Sequence, residues 1–351
     1  MSETTQPHGA GGPASAAPQP TPERIFQTLT AYQQTAAMRA AIELDVFSRV
    51  AEGADTAAEI AARARASERG VRILCDYLTV HGFLTKEGGR YGLTPEAATF
   101  LDRRSPAYVG GMAGFLAGPH LVEAFRDFTE SVRRGGTAMP DEGSMTPEHP
   151  MWEDFARGMA ATVGPAAEEV ARLVGASGMG PCKVLDIAAS HGVFGLTIAR
   201  HNPRAEVYAC DWKNVLPFAR ETAAGWGVAD RFHEIEGSAF EVDFGAGYDL
   251  VLVPNFFHHF DPPTNERLMR KIHAALKVGG RCVTLEFVPD ESRVSPPAEA
   301  TFPLVMLGST PAGDAYTFAE YDRMFRSAGF SSSEIHPSPP WHVIVSHKSE
   351  Q

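Results

Sequence analysis

No apolar run in this 351-residue chain approaches the length of a membrane span, so none is expected to cross a bilayer. Cysteine is scarce. Cys75, Cys182, Cys210 and Cys282 stand far apart with no C-x-x-C pair, which argues against a disulfide framework or a zinc site and fits a reducing cytoplasm. Positive charge is short as well: 31 Lys and Arg against 43 Asp and Glu leave a net charge of −12. Phosphate backbones need a basic face, so nucleic acid is not expected as the main partner. Glycine is missing where a dinucleotide would need it. Ala188, Ser190 and Gly195 occupy the three positions of a G-x-G-x-x-G turn, and Gly192 is the only glycine inside it. Residues 1–21 are rich in Gly, Pro, Ala, Ser and Thr and lack a basic-then-apolar signal pattern. They read as a disordered tail.

What remains is a chain with an ordinary apolar content of 44%, long enough for two domains with separate cores. Thr21 as N-cap and Pro22 at the first position predict a helix from Pro22, with Ile25, Phe26, Leu29, Tyr32, Ala36, Ala40 and Leu44 as its apolar stripe. Thr56 followed by Glu59 forms a capping box, and Arg69 to Val80 reads as a further helix. Gly82 to Thr94, with Gly88-Gly89 at its centre, reads as a hairpin. This is a winged-helix arrangement over residues 22–105. A DNA-binding reading would use Arg69 and Arg72, but Glu68 and Asp76 share that helix in an acidic protein, and protein–protein packing suits it better. Residues 106–175 are helical and apolar around a loop at 135–150. Trp152, Phe155, Met159 and Val163 recur at helical spacing there, as core or as a lid over a flat apolar ligand.

From about residue 176 strands and helices alternate. Strands are predicted at 183–187, 205–210, 231–236, 249–253, 280–287 and 342–347, with helices near 193–201, 214–226, 264–276 and 318–328. That order predicts a mostly parallel Rossmann-like sheet with ligands at the carboxyl ends of its strands. The first strand ends on Asp186 and runs through Ala188, Ser190 and Gly192 into a helix; the second ends on Asp211, placed to take the hydroxyls of a ribose. An acid at the end of the first strand repels a pyrophosphate but suits a cationic sulfonium ligand. S-Adenosylmethionine is therefore favoured over NAD. After the third strand, Ser238, Ala239 and Phe240 form a turn able to hold an adenine. After the fourth comes Asn255-Phe256-Phe257-His258-His259. Neighbouring histidines make a poor metal site without further ligands at the right spacing. One could cap the helix near Thr264, but a general base acting on a hydroxyl is the better reading. Glu286, at the end of the next long strand, is placed to support it.

These residues together resemble the two-domain class I S-adenosylmethionine-dependent O-methyltransferases of plant phenolic, acetylserotonin and bacterial tailoring pathways. The segments Leu185-Asp186 through Gly195, Asp211, Gly237 to Phe240, Asn255 to His258, Leu276 to Gly280 and Thr317 to Glu320 fall in that family's order and spacing. The resemblance implies a homodimer built on the N-terminal domain and a catalytic domain over 176–351. It places His258 as catalytic base and Glu286 as a supporting acid. Asp186, Ala188, Gly192, Asp211, Trp212, Ser238, Ala239, Phe240 and Asn255 fall at the cofactor, and Trp152, Phe155, Met159, His259, Phe302 and Met306 at a small-molecule acceptor, with no metal. The chain departs from the family at several points. Ala188, Ala189 and Ser190 stand for glycines, Ser238-Ala239 for Asp-Met, Pro254 for a lysine, and His259 for an acid. Ala315, with Asp314 beside it, stands for the second supporting acid. The expected reaction is methyl transfer to a hydroxyl of an aromatic or polyketide-like acceptor. C- or N-methylation and non-methylating chemistry on the same fold are the enzymatic alternatives, and a ligand-sensing DNA-binding protein is the alternative of another class.

Overall fold

The computed structural model describes residues 20–349, so the expected N-terminal tail lies, but for its last two residues, outside the described residues. The long first helix is in fact two, α1 (Glu23–Thr30) and α2 (Tyr32–Glu43), hinged at Ala31. Thr21 does not cap α1. Pro22 holds the N-cap position with helical backbone, and its ring has no acceptor with which to cap. Ile25, Phe26, Leu29 and Tyr32 lie 62–69% exposed, so this part of the stripe finds no cover among the described residues.

Next come α3 (Val46–Ala51), α4 (Ala57–Ala64) and α5 (Glu68–Val80). The capping box that opens α4 is present: the Glu59 amide donates to the Thr56 hydroxyl oxygen, and the Thr56 amide donates to the Glu59 carboxylate. Strands β1 (Leu84–Glu87) and β2 (Arg90–Leu93) form the hairpin; Gly88 and Gly89 both have positive φ, as a tight turn of this kind requires. Phe47, Ile60, Val71, Leu78 and Tyr91 make this domain's core. At the surface of this domain Asp76 pairs with Arg72 at 3.1 Å and with Lys86, and accepts from the Tyr91 hydroxyl, so one of the two α5 cations offered for DNA contact is paired within the chain.

Helix α6 (Pro95–Phe100) leads into a helical segment of α7 (Ala113–Leu116), α8 (Pro119–Ala124), α9 (Phe128–Arg134), α10 (Met151–Met159) and α11 (Gly164–Leu173). The loop between α9 and α10 is tied to a distant piece of chain. The Thr137 amide donates to the Thr310 carbonyl at 2.8 Å, and the Ser144 hydroxyl to the Ser309 carbonyl at 2.9 Å. Gly143 lets this happen: its φ is +62°, and a Cβ there would lie 2.4 Å from the Ser309 oxygen.

The remaining chain runs β3 (Cys182–Ile187), α12 (Val193–His201), β4 (Ala205–Asp211), α13 (Leu216–Gly225), β5 (Phe232–Glu236), β6 (Tyr248–Pro254), α14 (Pro262–Ala275), β7 (Leu276–Glu286), α15 (Pro297–Thr301), α16 (Pro303–Ser309), α17 (Phe318–Ser327), β8 (Ser332–Ser338) and β9 (Trp341–His347). Seven strands form one sheet in the order β5-β4-β3-β6-β7-β9-β8. β3 to β7 are parallel, and β9 and β8 extend the sheet antiparallel. The winding reverses between β3 and β6, which opens a crevice above their carboxyl ends. Alternate residues feed the two covered faces: Val184, Leu250 and Val283 pack toward α11 and α12, whereas Leu185, Val251 and Cys282 pack toward α14 and α17.

Three details differ from the sequence-based expectation. β7 starts at Leu276, because residues 277–280 form a bulge between the pairs Tyr248–Leu276 and Leu250–Arg281. β8 was not anticipated; it is polar, carries Pro337, and is tolerated only because it lies at the sheet edge. Asp261 caps α14 by accepting from the Thr264 amide at 3.0 Å, so neither histidine serves as that cap. Among the described residues no helix is long and apolar enough to cross a membrane. Leu185 is wholly buried between β4 and β6. Leu185→Ala is expected to cost about 2–5 kcal/mol, measured as a lower denaturant midpoint at unchanged slope.

Candidate active site

One cavity of about 1640 Å³ opens over the strand ends and beneath the helical segment. Its floor starts with the turn after β3. Ala188 (φ 54°) and Ser190 (φ 52°) adopt the left-handed conformation that glycine holds at no steric cost, as does Asn255 (φ 52°) after β6. Asp211, at the end of β4, lines the cavity, and each of its oxygens accepts one backbone amide at 2.7 Å, from Ser190 and from Trp212. One lone pair on each oxygen is left for a diol. Burial raises this carboxyl to about 6.

Seven of the nine predicted cofactor residues line the cavity: Ala188, Asp211, Trp212, Ser238, Ala239, Phe240 and Asn255. Asp186 and Gly192, the other two residues expected at the cofactor, lie behind this lining. Asp186 lies behind the turn, wholly buried and pushed up to about 7 by that burial. Its Oδ2 accepts the Gly195 amide at 2.9 Å, in the first turn of α12. Gly192 packs against Ala219 and Leu196, where a Cβ would sit 2.9 Å from each. Both residues build the turn from its rear.

The base candidates lie across the cavity. The Glu286 side chain is fully buried: Oε1 accepts the amides of Phe256 and Phe257 at 3.1 and 2.9 Å, and Oε2 lies 2.5 Å from His258 Nδ1. His258 lines the cavity, and its Nε2 has no partner among the described residues. Asp314 does not support the imidazole, since its carboxylate accepts the Ala315 amide and faces Arg293. Burial pushes His258 down to about 3 and Glu286 up to about 8.

Trp152, Phe155, Met159, His259, Phe302 and Met306 all line the cavity. Phe302 stacks on Phe287 at 3.9 Å and meets the His258 ring edge-on at 4.7 Å. Ser190, His191, Phe115, Leu121, Phe287 and Trp341 line it too, unassigned by the sequence reading. The first two stand inside the turn motif itself, where a cofactor role could have been assigned. The others carry no local signal, because only folding brings them to one cavity.

The fit to an adenosyl cofactor rests on this wall. Asp211 offers acceptors for a diol, Trp212, Ala239 and Phe240 offer apolar surface, and the Ser190 hydroxyl and Asn255 Oδ1 are buried polar atoms without partners. Such atoms are costly unless a ligand satisfies them. Fold and site together define a Rossmann-like transferase that uses a nucleoside cofactor. Family profiles match the O-methyltransferase dimerisation domain over residues 26–103 and the O-methyltransferase domain over 143–331. The chain belongs to the O-methyltransferase family, and its cofactor is S-adenosylmethionine.

The relatives agree. The tetracenomycin polyketide synthesis 8-O-methyl transferase TcmO of Streptomyces glaucescens is 30% identical, over 88% of this chain and 91% of its own. The 3-hydroxy-5-methyl-1-naphthoate 3-O-methyltransferase of Streptomyces sahachiroi is 28% identical, over 88% and 90%. A solved chain from Nostoc punctiforme, put forward as an O-methyltransferase, is 49% identical with a TM-score of 0.90, covering 94% of this chain and 100% of that one. PigF, solved with S-adenosylhomocysteine, superposes with a TM-score of 0.83 at 25% identity, covering 93% and 100%. The N,N-dimethyltransferase OxyT of Streptomyces rimosus, 28% identical over 76% and 78%, is also similar.

Gly195 tests how the turn is held. A Cβ there would lie 2.8 Å from Asp186 Oδ2 and 2.8 Å from Val207. Gly195→Ala is expected to lose about 1–3 kcal/mol of stability and to weaken S-adenosylhomocysteine binding, read by denaturant unfolding and by calorimetry. Unchanged binding would mean that Asp186 does not shape the turn.

Proposed function

We propose that this enzyme methylates a hydroxyl of a small aromatic or polyketide-like acceptor, with His258 as general base and Glu286 as its positioning acid. The observation that carries this reading is the buried 2.5 Å Glu286–His258 contact, with the other imidazole nitrogen turned to the cavity. The aromatic and methionine lining suits a flat acceptor, and TcmO and the naphthoate enzyme, by their names, act on acceptors of this kind. When bound, S-adenosylmethionine supplies a sulfonium methyl, whose bonding pair stays on sulfur as the methyl ether forms.

The chain's own part begins with Asp211, which accepts the ribose hydroxyls, while Ser190, Asn255 and the 238–240 turn close on the rest of the cofactor. Phe155, Met159, Phe302 and Met306 hold the acceptor ring and exclude water. His258 Nε2 takes the hydroxyl proton, and the Glu286 carboxylate stabilises the imidazolium that results. Holding nucleophile and methyl in line is worth ~7–11 kcal/mol, and the base adds ~10²–10⁴-fold. A base so placed also serves an amine acceptor, and the likeness to OxyT favours N-methylation as the second reading. Product mass after incubation with labelled methyl donor and a panel of phenols and aryl amines decides between them.

The sign of the pH dependence follows from the pair. At 2.5 Å the two groups titrate as a unit. At low pH the unit holds two protons, one of them on Nε2, and cannot take a third from substrate. As pH rises through about 8 one proton leaves, the charge rests on the carboxylate held by the Phe256 and Phe257 amides, and Nε2 gains a free lone pair. kcat/KM is thus expected to climb with pH to a plateau above about 8. Glu286→Gln is expected to move that limb to lower pH, since only the depressed imidazole then titrates, and to lower the plateau. His258→Ala is expected to cut turnover ~10²–10⁴-fold with S-adenosylhomocysteine affinity nearly unchanged. Near-normal turnover of a phenol by His258→Ala would remove the base from the mechanism.

We further propose residues 22–105 as the dimerisation domain, 106–175 as the lid and 176–351 as the catalytic domain of a homodimer working in the cytoplasm. The uncovered stripe Ile25, Phe26, Leu29 and Tyr32 supports the dimer. Light scattering at micromolar concentration is expected to give twice the chain mass, and the double change Phe26→Asp with Leu29→Asp to give a monomer. A monomeric wild type would defeat this reading.

A further inference from the structure

His258 and His259 are neighbours in sequence and in space, with ring centroids 4.3 Å apart, yet different groups stand behind them. His258 Nδ1 faces a carboxylate. His259 Nδ1 faces the Phe256 carbonyl oxygen at 3.1 Å. A carbonyl only accepts, so His259 Nδ1 carries the proton; the ring is buried and neutral, and its Nε2 is a bare lone pair. That nitrogen has no donor among the described residues, and the ring lines the cavity beside His258. The ring is also pinned. Trp152 meets it edge-on at 5.3 Å and 74°, and the Trp152 indole N–H is itself anchored on the Ser144 carbonyl at 3.1 Å. Once the Glu286–His258 pair has released its proton, the cavity thus presents two adjacent hydrogen-bond acceptors on one wall.

We propose that His259 Nε2 is a specificity-determining group: it accepts a hydrogen bond from a second donor on the acceptor molecule, next to the hydroxyl served by His258. The substrate class is then an arene carrying two neighbouring donors, a vicinal or peri diol or a hydroxyl beside an N–H, of which one is methylated. This rests on the assignment of His258 as base. The second donor keeps its proton, because a neutral carbonyl behind His259 does not stabilise an imidazolium as the Glu286 carboxylate does. The mono-methyl ether is a poor substrate in turn. With its methoxyl over His259 the site holds an unmatched lone pair, and a site built around a substrate donor discriminates strongly against analogues that lack it.

The test uses the full chain and four probes: 1,2-dihydroxynaphthalene, 1,8-dihydroxynaphthalene, 1-naphthol and 2-methoxy-1-naphthol. The expected result is a kcat/KM for at least one diol about 100-fold above that of 1-naphthol and of the methoxy compound. His259→Phe is expected to bring this ratio to within about threefold of one, chiefly through the diol's KM, and His259→Gln, which restores an acceptor oxygen, to recover part of it. Nitrogen-15 spectra of the histidine-labelled protein supply a readout independent of turnover: His259 Nε2 is expected to be unprotonated in the free protein and to shift on adding a diol but not 1-naphthol. A protonated Nε2, or a diol preference that His259→Phe leaves intact, overturns this inference alone. Methylation of none of the four by a protein that binds S-adenosylhomocysteine overturns the hydroxyl-methylation reading, and this inference with it.

Discussion

A buried carboxylate held by two backbone amides and one imidazole organises the reactive half of this molecule. Glu286 ends β7 in the middle of the sheet, where an uncompensated charge would be prohibitive. It is accommodated because the chain leaving β6 bends over it, offering two backbone amides to one oxygen and the His258 ring to the other. The same contact therefore sets the path of the Asn255–His259 segment, the direction of the imidazole and the electrostatics of the pair. It also fixes what stands nearby: with Phe256 held by Glu286, its carbonyl is free to orient His259.

The opposite wall depends on strain. Ala188 and Ser190 sit in a backbone region that costs most residues about 1–2 kcal/mol each, and the turn persists because what lies behind it leaves little alternative. Asp186 holds the first turn of α12, Gly195 gives the carboxyl room, and Asp211 draws in the Ser190 amide. The buried acids at the two strand ends thus divide the work. One shapes the turn from the rear, and the other faces the cavity. The roof is fastened separately, through hydrogen bonds from the 135–150 loop to residues 308–310, which hold the helical segment against the segment that carries Met306.

Much of this was legible in the chain. The alternation of apolar runs and helical stretches fixed the class of fold, since a strand buried on both faces must be continuously apolar. The capping box at Thr56 and the Gly88-Gly89 turn were readable because their causes are local. The residues at strand ends were readable too: a parallel sheet gathers those ends at one edge, so Asp211, Asn255, His258 and Glu286 were bound to converge. β8 was invisible because an edge strand needs no apolar face, and the break at Ala31 because both halves share one periodicity.

By itself the amino-acid order determined which chemistry was available: an acid for a ribose, an imidazole with a carboxylate in reach, and an aromatic lining. Tertiary structure decided who does what. Asp186 and Asp211 both stand at strand ends, and His258 and His259 are neighbours, but what stands behind each side chain differs. The Gly195 amide holds one oxygen of Asp186 behind the turn, while Asp211 lines the cavity, and His258 has a carboxylate at Nδ1 where His259 has a carbonyl, the difference on which the roles proposed for them rest. Such partners come from residues up to 28 positions away. Hydrogen-bond direction depends on where a folded backbone places its donors, and no local pattern of residues records that.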